Sequence, residues 1–121
     1  ENFINKVSTT KEKKRKTKVH RMREYINQNF TKEVTASNVA KSAGLSISRA
    51  LHLFKEETGM SLSSFITKLR IDYGKYLLLN TEVNIAHLAN EVGFYDQSHF
   101  TKYFKKFERI TPSRFRLKYK S

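Results

Sequence analysis

The chain has 121 residues, 38% of them hydrophobic, with one Pro, four Gly and no Cys. That length supports one ordinary domain or two very small ones, and the absence of Cys excludes a disulfide framework and any thiolate metal site. The formal charge is +13, from 24 Lys and Arg against 11 Asp and Glu, an excess that argues about partners rather than about fold.

Nucleic acid is the first partner such a charge implies, because a polyanion repays clustered cations through counterion release. An anionic membrane surface is the second, and plain solubility the third. No apolar run approaches the ~20 residues needed to cross a bilayer, and no signal-peptide pattern opens the chain. A cytoplasmic location fits the cysteine-free composition. The first residue is Glu1 rather than Met, which reads as a fragment or a processed product. Scarce Gly and Pro beside abundant Lys, Leu and Ala favour an all-α fold. No stretch alternates Val, Ile and Thr as a strand would.

Residues 1–18 hold Phe3, Ile4 and Val7, then a basic run from Lys11 to Lys18. They read as a linker or a frayed helix, with the run either a solvated tether or a phosphate contact. From Val19 a helical stripe begins: Val19, Met22, Tyr25, Ile26 and Phe30. Thr35 can cap a helix over Ala36–Ala43, with Val39, Ala40 and Ala43 inward. Gly44 supplies a turn and Leu45 plugs it. Ser46 caps a second helix to about Thr58, with Ala50, Leu53 and Phe54 inward. Gly59 stops that helix and Ser61 caps the next.

Residues 62–79 read as one longer helix, with Leu62, Phe65, Ile66, Leu69, Tyr73, Tyr76 and Leu77 at helical spacing. Gly74 inside it costs about 1 kcal/mol relative to Ala, which close packing would justify. Asn84 caps a short helix carrying Ile85, Leu88, Ala89 and Val92. Gly93 turns the chain and Phe94 plugs the turn. Asp96 caps a helix whose apolar side is Phe100, Tyr103, Phe104 and Phe107. Thr111 followed by Pro112 starts a final helix, anchored by Phe115 and Tyr119.

Two parts of this pattern repeat. Ala40, Gly44 and Leu45 match Ala89, Gly93 and Phe94 at an offset of 49. Ala50, Leu53 and Phe54 match Phe100, Tyr103 and Phe104 at an offset of 50, as Met60 and Phe65 match Ile110 and Phe115. A short helix, a Gly turn and a basic second helix form the order of a helix-turn-helix unit. Packing alone could account for two such bundles, but the basic second helix favours DNA.

The chain resembles the C-terminal DNA-binding domain of the AraC/XylS family of bacterial transcription regulators over residues 19–118. The resemblance is strongest in Ile85-Ala86-His87-Leu88-Ala89, Val92-Gly93-Phe94 and Asp96-Gln97-Ser98-His99-Phe100. It continues through Phe104-Lys105-Lys106-Phe107 and Thr111-Pro112-Ser113-Arg114-Phe115. The first unit matches through Ala40, Leu45-Ser46 and Leu53 to Ser61, and Leu69-Arg70-Ile71 falls where the family has its connecting helix.

The resemblance implies seven helices in two helix-turn-helix subdomains, residues 19–60 and 80–121, joined by a long connecting helix over 61–79. It implies sequence-specific binding of double-stranded DNA, with two recognition helices in successive major-groove segments. It also implies recruitment of RNA polymerase, usually for activation, and a further regulatory or dimerisation domain that nothing in this chain resembles.

On the second recognition helix Gln97, Ser98, Thr101 and Lys102 are left facing outward. Gln pairs bidentately with adenine, Ser and Thr donate or accept, and Lys favours guanine edges or phosphate. These positions match those the family uses for DNA contact. Ser98 can instead serve the helix start, and His99 reads as a structural or phosphate-contacting residue. On the first recognition helix the corresponding face is Ser48, Arg49, Leu51 and His52. Leu51 can meet a thymine methyl, and His52 is a weaker fixed cation than Arg. This face therefore reads as the poorer in polar base contacts. Candidates for phosphate contact are Lys41, Lys55, Lys68, Arg70, Lys75, Lys105, Lys106, Arg114 and Arg116, half of them expected to be merely solubilising.

The four His have no metal-ligand spacing, no Ser stands in a nucleophile elbow, and no cofactor motif occurs, so an enzyme is not expected. A non-specific or RNA-binding basic helical module is the alternative reading. RNA readers more often expose aromatic stacking residues, whereas these aromatics lie on inward stripes. A membrane-surface or protein-interaction domain stands behind it, since its amphipathic face would have to be free.

Overall fold

The structure, a computed structural model, describes the backbone of residues 3–121 and the side chains of residues 10–121. The side chains of Phe3, Ile4 and Val7 lie outside the described residues. Among those described there are seven helices and no strand. They are α1 (Phe3–Asn29), α2 (Ala36–Ser42), α3 (Ile47–Thr58), α4 (Leu62–Asn80), α5 (Ile85–Glu91), α6 (Gln97–Glu108) and α7 (Pro112–Tyr119). No helix among these residues is long and apolar enough to cross a membrane.

Side-chain caps set most of the helix starts. Thr35 Oγ1 accepts the Asn38 N–H at 3.1 Å, and Ser46 Oγ accepts that of Arg49 at 3.3 Å. Asn84 Oδ1 accepts from His87 at 2.8 Å, Asp96 Oδ1 from His99 at 2.9 Å, and Thr111 Oγ1 from Arg114 at 3.3 Å. Each satisfies a donor that the first turn leaves without an intrahelical acceptor.

The described residues divide into two compact units, one of residues 3–28 and 34–62, the other of residues 29–33 and 63–121. In the first, α1 buries Val19, Met22 and Ile26, α2 buries Val39 and Ala40, and α3 buries Ala50, Leu53 and Phe54. In the second, one cluster joins Ile71, Leu77 and Leu78 of α4, Leu88 and Ala89 of α5, Phe100 and Phe104 of α6 and Phe115 of α7. A run of rings threads it: Phe94, Phe100, Phe104, Phe115 and Tyr119 follow one another at 5.4, 5.4, 5.3 and 4.9 Å between centroids.

The two Gly turns are built alike. Gly44 and Gly93 have φ of 68° and 110°, in the left-handed region where a Cβ is disfavoured. After each, the plug residue donates to the same place: Leu45 N–H to Ala40 O and Phe94 N–H to Ala89 O, both at 3.0 Å. The Gly N–H groups donate to Lys41 O and Asn90 O at 3.1 Å. This is the Schellman pattern, which satisfies the last carbonyls of α2 and α5.

Three details depart from the sequence reading. The basic run 11–18, read as a linker or frayed helix, is helical and continuous with the striped part of α1. No apolar period marks that stretch, so periodicity could not find it. Helix α4 has no single buried stripe. Leu62 and Ile66 share one face, but Ile71, Gly74 and Leu78 are buried about 140° round, because five residues from 66 to 71 overshoot one turn. Tyr76, placed on the inward stripe, is therefore 60% exposed. Tyr119 touches Phe115 by its ring yet is more than half exposed.

Helices α3 and α6 end alike, with a residue in the left-handed region donating to the carbonyl four back. Gly59 does this after α3 and Arg109, at φ 70°, after α6. A side chain there costs of the order of 1 kcal/mol. Arg109→Gly should raise stability by about 0.5–1 kcal/mol in urea unfolding. Gly74→Ala should do the opposite. Its Cβ would stand 2.8 Å from Cε1 of the fully buried Phe100. A loss of about 1–3 kcal/mol from overpacking should outweigh the helix-propensity gain of about 1 kcal/mol.

Candidate nucleic-acid interface

Each unit contains one short helix, one Schellman turn and one longer helix that buries only one side. On α6 the buried side is Phe100 and Phe104, with Tyr103 and Phe107 half-buried. Opposite them Gln97, Ser98 and Lys102 are exposed and Thr101 is half-buried. On α3 the exposed side carries Ser48, Arg49, Leu51 and His52. The structure thus groups each predicted base-contact set on the free face of its own helix. Ile47, 45% exposed beside Ser48, was not foreseen there. Its place at the first helical position, before the inward stripe begins, is the signal that could have found it.

The two free faces differ in what holds their side chains. Leu51 is 41% exposed, an apolar surface with no polar group to offer. His52 Nε2 lies 3.6 Å from Glu56 one turn along, so a carboxylate shares its position. Lys102 extends its ammonium over the Tyr103 ring at 5.5 Å, and no carboxylate pairs with it among the described residues. At the start of α6, His99 Nδ1 sits 2.8 Å from Asp96 Oδ1, and the imidazole meets the Tyr95 ring edge-on at 5.9 Å. The His99 backbone N–H, then its ring, hold the Asp96 carboxyl below its ordinary value.

Three of the nine residues expected to contact phosphate are bonded to other groups of this chain. Arg70 Nε donates to Phe30 O at 2.6 Å and its Nη2 to Lys32 O at 2.9 Å. Burial pulls its pKa below the ordinary value. The same guanidinium sits 6.0 Å from the Phe94 ring centroid, behind the second turn. Arg116 donates to three carbonyls, Leu78 O at 3.0 Å, Val83 O at 2.7 Å and Thr81 O at 3.1 Å. It closes the C-terminal end of α4, where unpaired carbonyls favour a cation. Lys120 joins it there, bonded to Thr81 O and paired with Glu82, whose carboxyl it holds below the usual range. Lys75 lies 3.2 Å from Glu108 and is half-buried.

The other six are exposed: Lys41, Lys55, Lys68, Lys105, Lys106 and Arg114. Lys68 pairs at 3.1 Å with Asp72, an exposed contact of little energetic weight. Sequence could not separate these from Arg70 and Arg116, because the deciding carbonyls lie 33 to 40 residues away.

A family model described as a helix-turn-helix domain matches residues 39–118. The Msm operon regulatory protein of Streptococcus mutans is 32% identical over 101 residues, covering 84% of this chain and 36% of that protein. The lactose operon transcription activator of Staphylococcus xylosus is 33% identical over 93 residues, covering 77% and 33%. Among solved structures, the C-terminal domain of AraT, a response regulator from Geobacillus stearothermophilus, superposes with a TM-score of 0.82 at 31% identity, covering 86% of this chain and 87% of that one. A bipartite helix-turn-helix DNA-binding domain is thus the class that fold and faces define. The chain belongs to the AraC/XylS family of transcription regulators. It spans about a third of the length of the curated relatives it matches.

Two expectations follow for this surface. Arg116→Met should cost about 2–3 kcal/mol of stability, since it removes hydrogen bonds to a charged donor and strands carbonyls. The salt dependence of DNA binding should stay that of the parent, whereas a phosphate contact would make it shallower. Asp96 has a folded pKa below its unfolded one, so its stabilising effect is full above the ordinary Asp range and fades as pH falls through the lower folded value. Asp96→Asn keeps a good cap and should flatten the acid side of a stability-versus-pH profile.

Proposed function

We propose that the two free faces read double-stranded DNA unequally. Helix α6 is the main reader: Gln97 and Lys102 contact base edges, with Ser98 and Thr101 beside them. Helix α3 contributes mainly through Arg49, while Ser48 and His52 add weaker polar contacts and Leu51 meets a thymine methyl. Lys41, Lys55, Lys68, Lys105, Lys106 and Arg114 bind phosphate and set register rather than sequence. The observation that carries this reading is the free outer face of α6, polar and cationic with no carboxylate partner for Lys102. On α3 the corresponding face holds an exposed Leu and a His beside Glu56.

Selection from a random duplex pool tests the reading. A two-part motif should be enriched. Binding that varies with salt but not with sequence would instead favour a non-specific basic module. On the selected site, Gln97→Ala and Lys102→Ala should each cost about 1–3 kcal/mol of specific affinity, the range for a good base contact. His52→Ala should cost less than either, and a larger loss at His52 would reverse the ranking.

In the whole protein this domain serves a transcription activator that recruits RNA polymerase and works in the cytoplasm, joined to a regulatory or dimerisation domain. The support is the family, and the name of the Staphylococcus xylosus relative as an activator. A reporter placed downstream of the selected site should rise in expression when the whole protein is supplied. Unchanged or lowered expression would count against activation.

A further inference from the structure

Six of the eight residues from Lys11 to Lys18 are Lys or Arg, and Glu12 is the one acid among them. They form helix with no buried side chain between Thr10 and Lys18. Two basic rows run along α1 at steps of three, four and three: Lys13, Lys16, His20 and Arg23 on one side, Lys11, Lys14, Lys18 and Arg21 on the other. Those rows flank the buried stripe Val19, Met22 and Ile26. Like charges three or four apart oppose helix formation by a few tenths of a kcal/mol per pair. Apolar burial does not offset that here, and acidic partners are few among the described residues: Arg15 pairs with Glu57 at 3.7 Å and His20 with Glu24 at 3.2 Å. Lys11, Lys13, Lys14 and Lys16 are exposed and have no carboxylate within ion-pair distance among the described residues.

The Arg15–Glu57 contact also fixes where this charge lies. Glu57 is at the C-terminal end of α3, and Lys16, His20 and Arg23 line a cleft with Glu57 and Thr58. The basic segment therefore starts about 14 Å along α3 from Ser48, at ~1.5 Å per residue, at the end away from the residues proposed to read bases. Residues 11–18 span about 12 Å of helix. Duplex DNA carries one phosphate charge per ~1.7 Å of axis, so several phosphates lie within that reach.

We propose that the basic segment of α1 is a second, sequence-independent DNA surface that grips the phosphate backbone beside the base pairs met by α3. This rests on the reading of α3 as a DNA-facing helix. The test uses the full chain with Lys11, Lys13, Lys14 and Lys16 all changed to Gln, and a companion with the same four changed to Arg. Arg15 is kept for its contact with Glu57. Binding is measured against salt on a short duplex carrying only the selected site and on a longer one with flanks.

The parent should show a steeper slope of log affinity against log salt on the longer duplex. The Gln variant should lose about 2–3 from that slope, near ~0.9 per phosphate contact removed, with its preferred sequence unchanged. The Arg companion should keep the parental slope, and thermal melting of both variants reports the fold. A Gln variant that melts like the parent and keeps the parental slope on both duplexes overturns the proposal. A parent that binds DNA without sequence preference contradicts the base-reading assignment instead, and the slope comparison still decides this one.

Discussion

Helices α3 and α6 are each aimed by the turn before them, and that turn depends on a glycine in the left-handed region. At Gly93 the constraint is tightest. A Cβ there would lie 2.7 Å from Arg70 Nε and 2.8 Å from Phe30 O, besides forcing φ 110° on a side chain. The turn also drives Phe94 into the ring run of the second unit, against Phe100 and Tyr103. Rings of α6 are thereby held on one side, which leaves Gln97, Ser98 and Lys102 on the other. At Gly44 the same hydrogen bonds recur with open space around the position, and the plug is a half-buried Leu45. The first unit thus repeats the device with less packed against it.

The charge excess divides between two physical jobs. Arg70 and Arg116 are absorbed by backbone carbonyls at loops and helix ends, where planar guanidinium groups reach several acceptors at once. Most exposed lysines have no such demand. Formal net charge counts both kinds alike, so +13 overstates the cations available to a polyanion. Arg70 shows why the distinction matters for function. It ties the loop after α1 to α4 and stands directly behind Gly93, so its removal would disturb the turn that precedes α6.

Much of this was legible in the sequence, because the caps and turns are chemically explicit. Thr35, Ser46, Asn84, Asp96 and Thr111 each stand where a helix begins. The offset repeat reappears as matching hydrogen bonds at Gly44 and Gly93. The close packing that would justify Gly74 is the Phe100 ring. What periodicity could not supply has two physical sources. A helix without an apolar stripe, as in residues 11–18, leaves no period to detect. A helix that changes its buried face midway, as α4 does between Ile66 and Ile71, displays its helical spacing but not which side is buried, as the exposed Tyr76 shows. The structural arginines were illegible for a third reason, since their acceptors are backbone carbonyls distant in sequence.

The division between reading faces and structural cations can be observed directly by NMR titration of the labelled chain with its selected duplex. Amide shifts should concentrate at residues 97–102 and, more weakly, at residues 48–52, while the Nε–H signals of Arg70 and Arg116 stay where they are in the free protein. Large movement of those two arginine signals with little change along α6 would contradict the account.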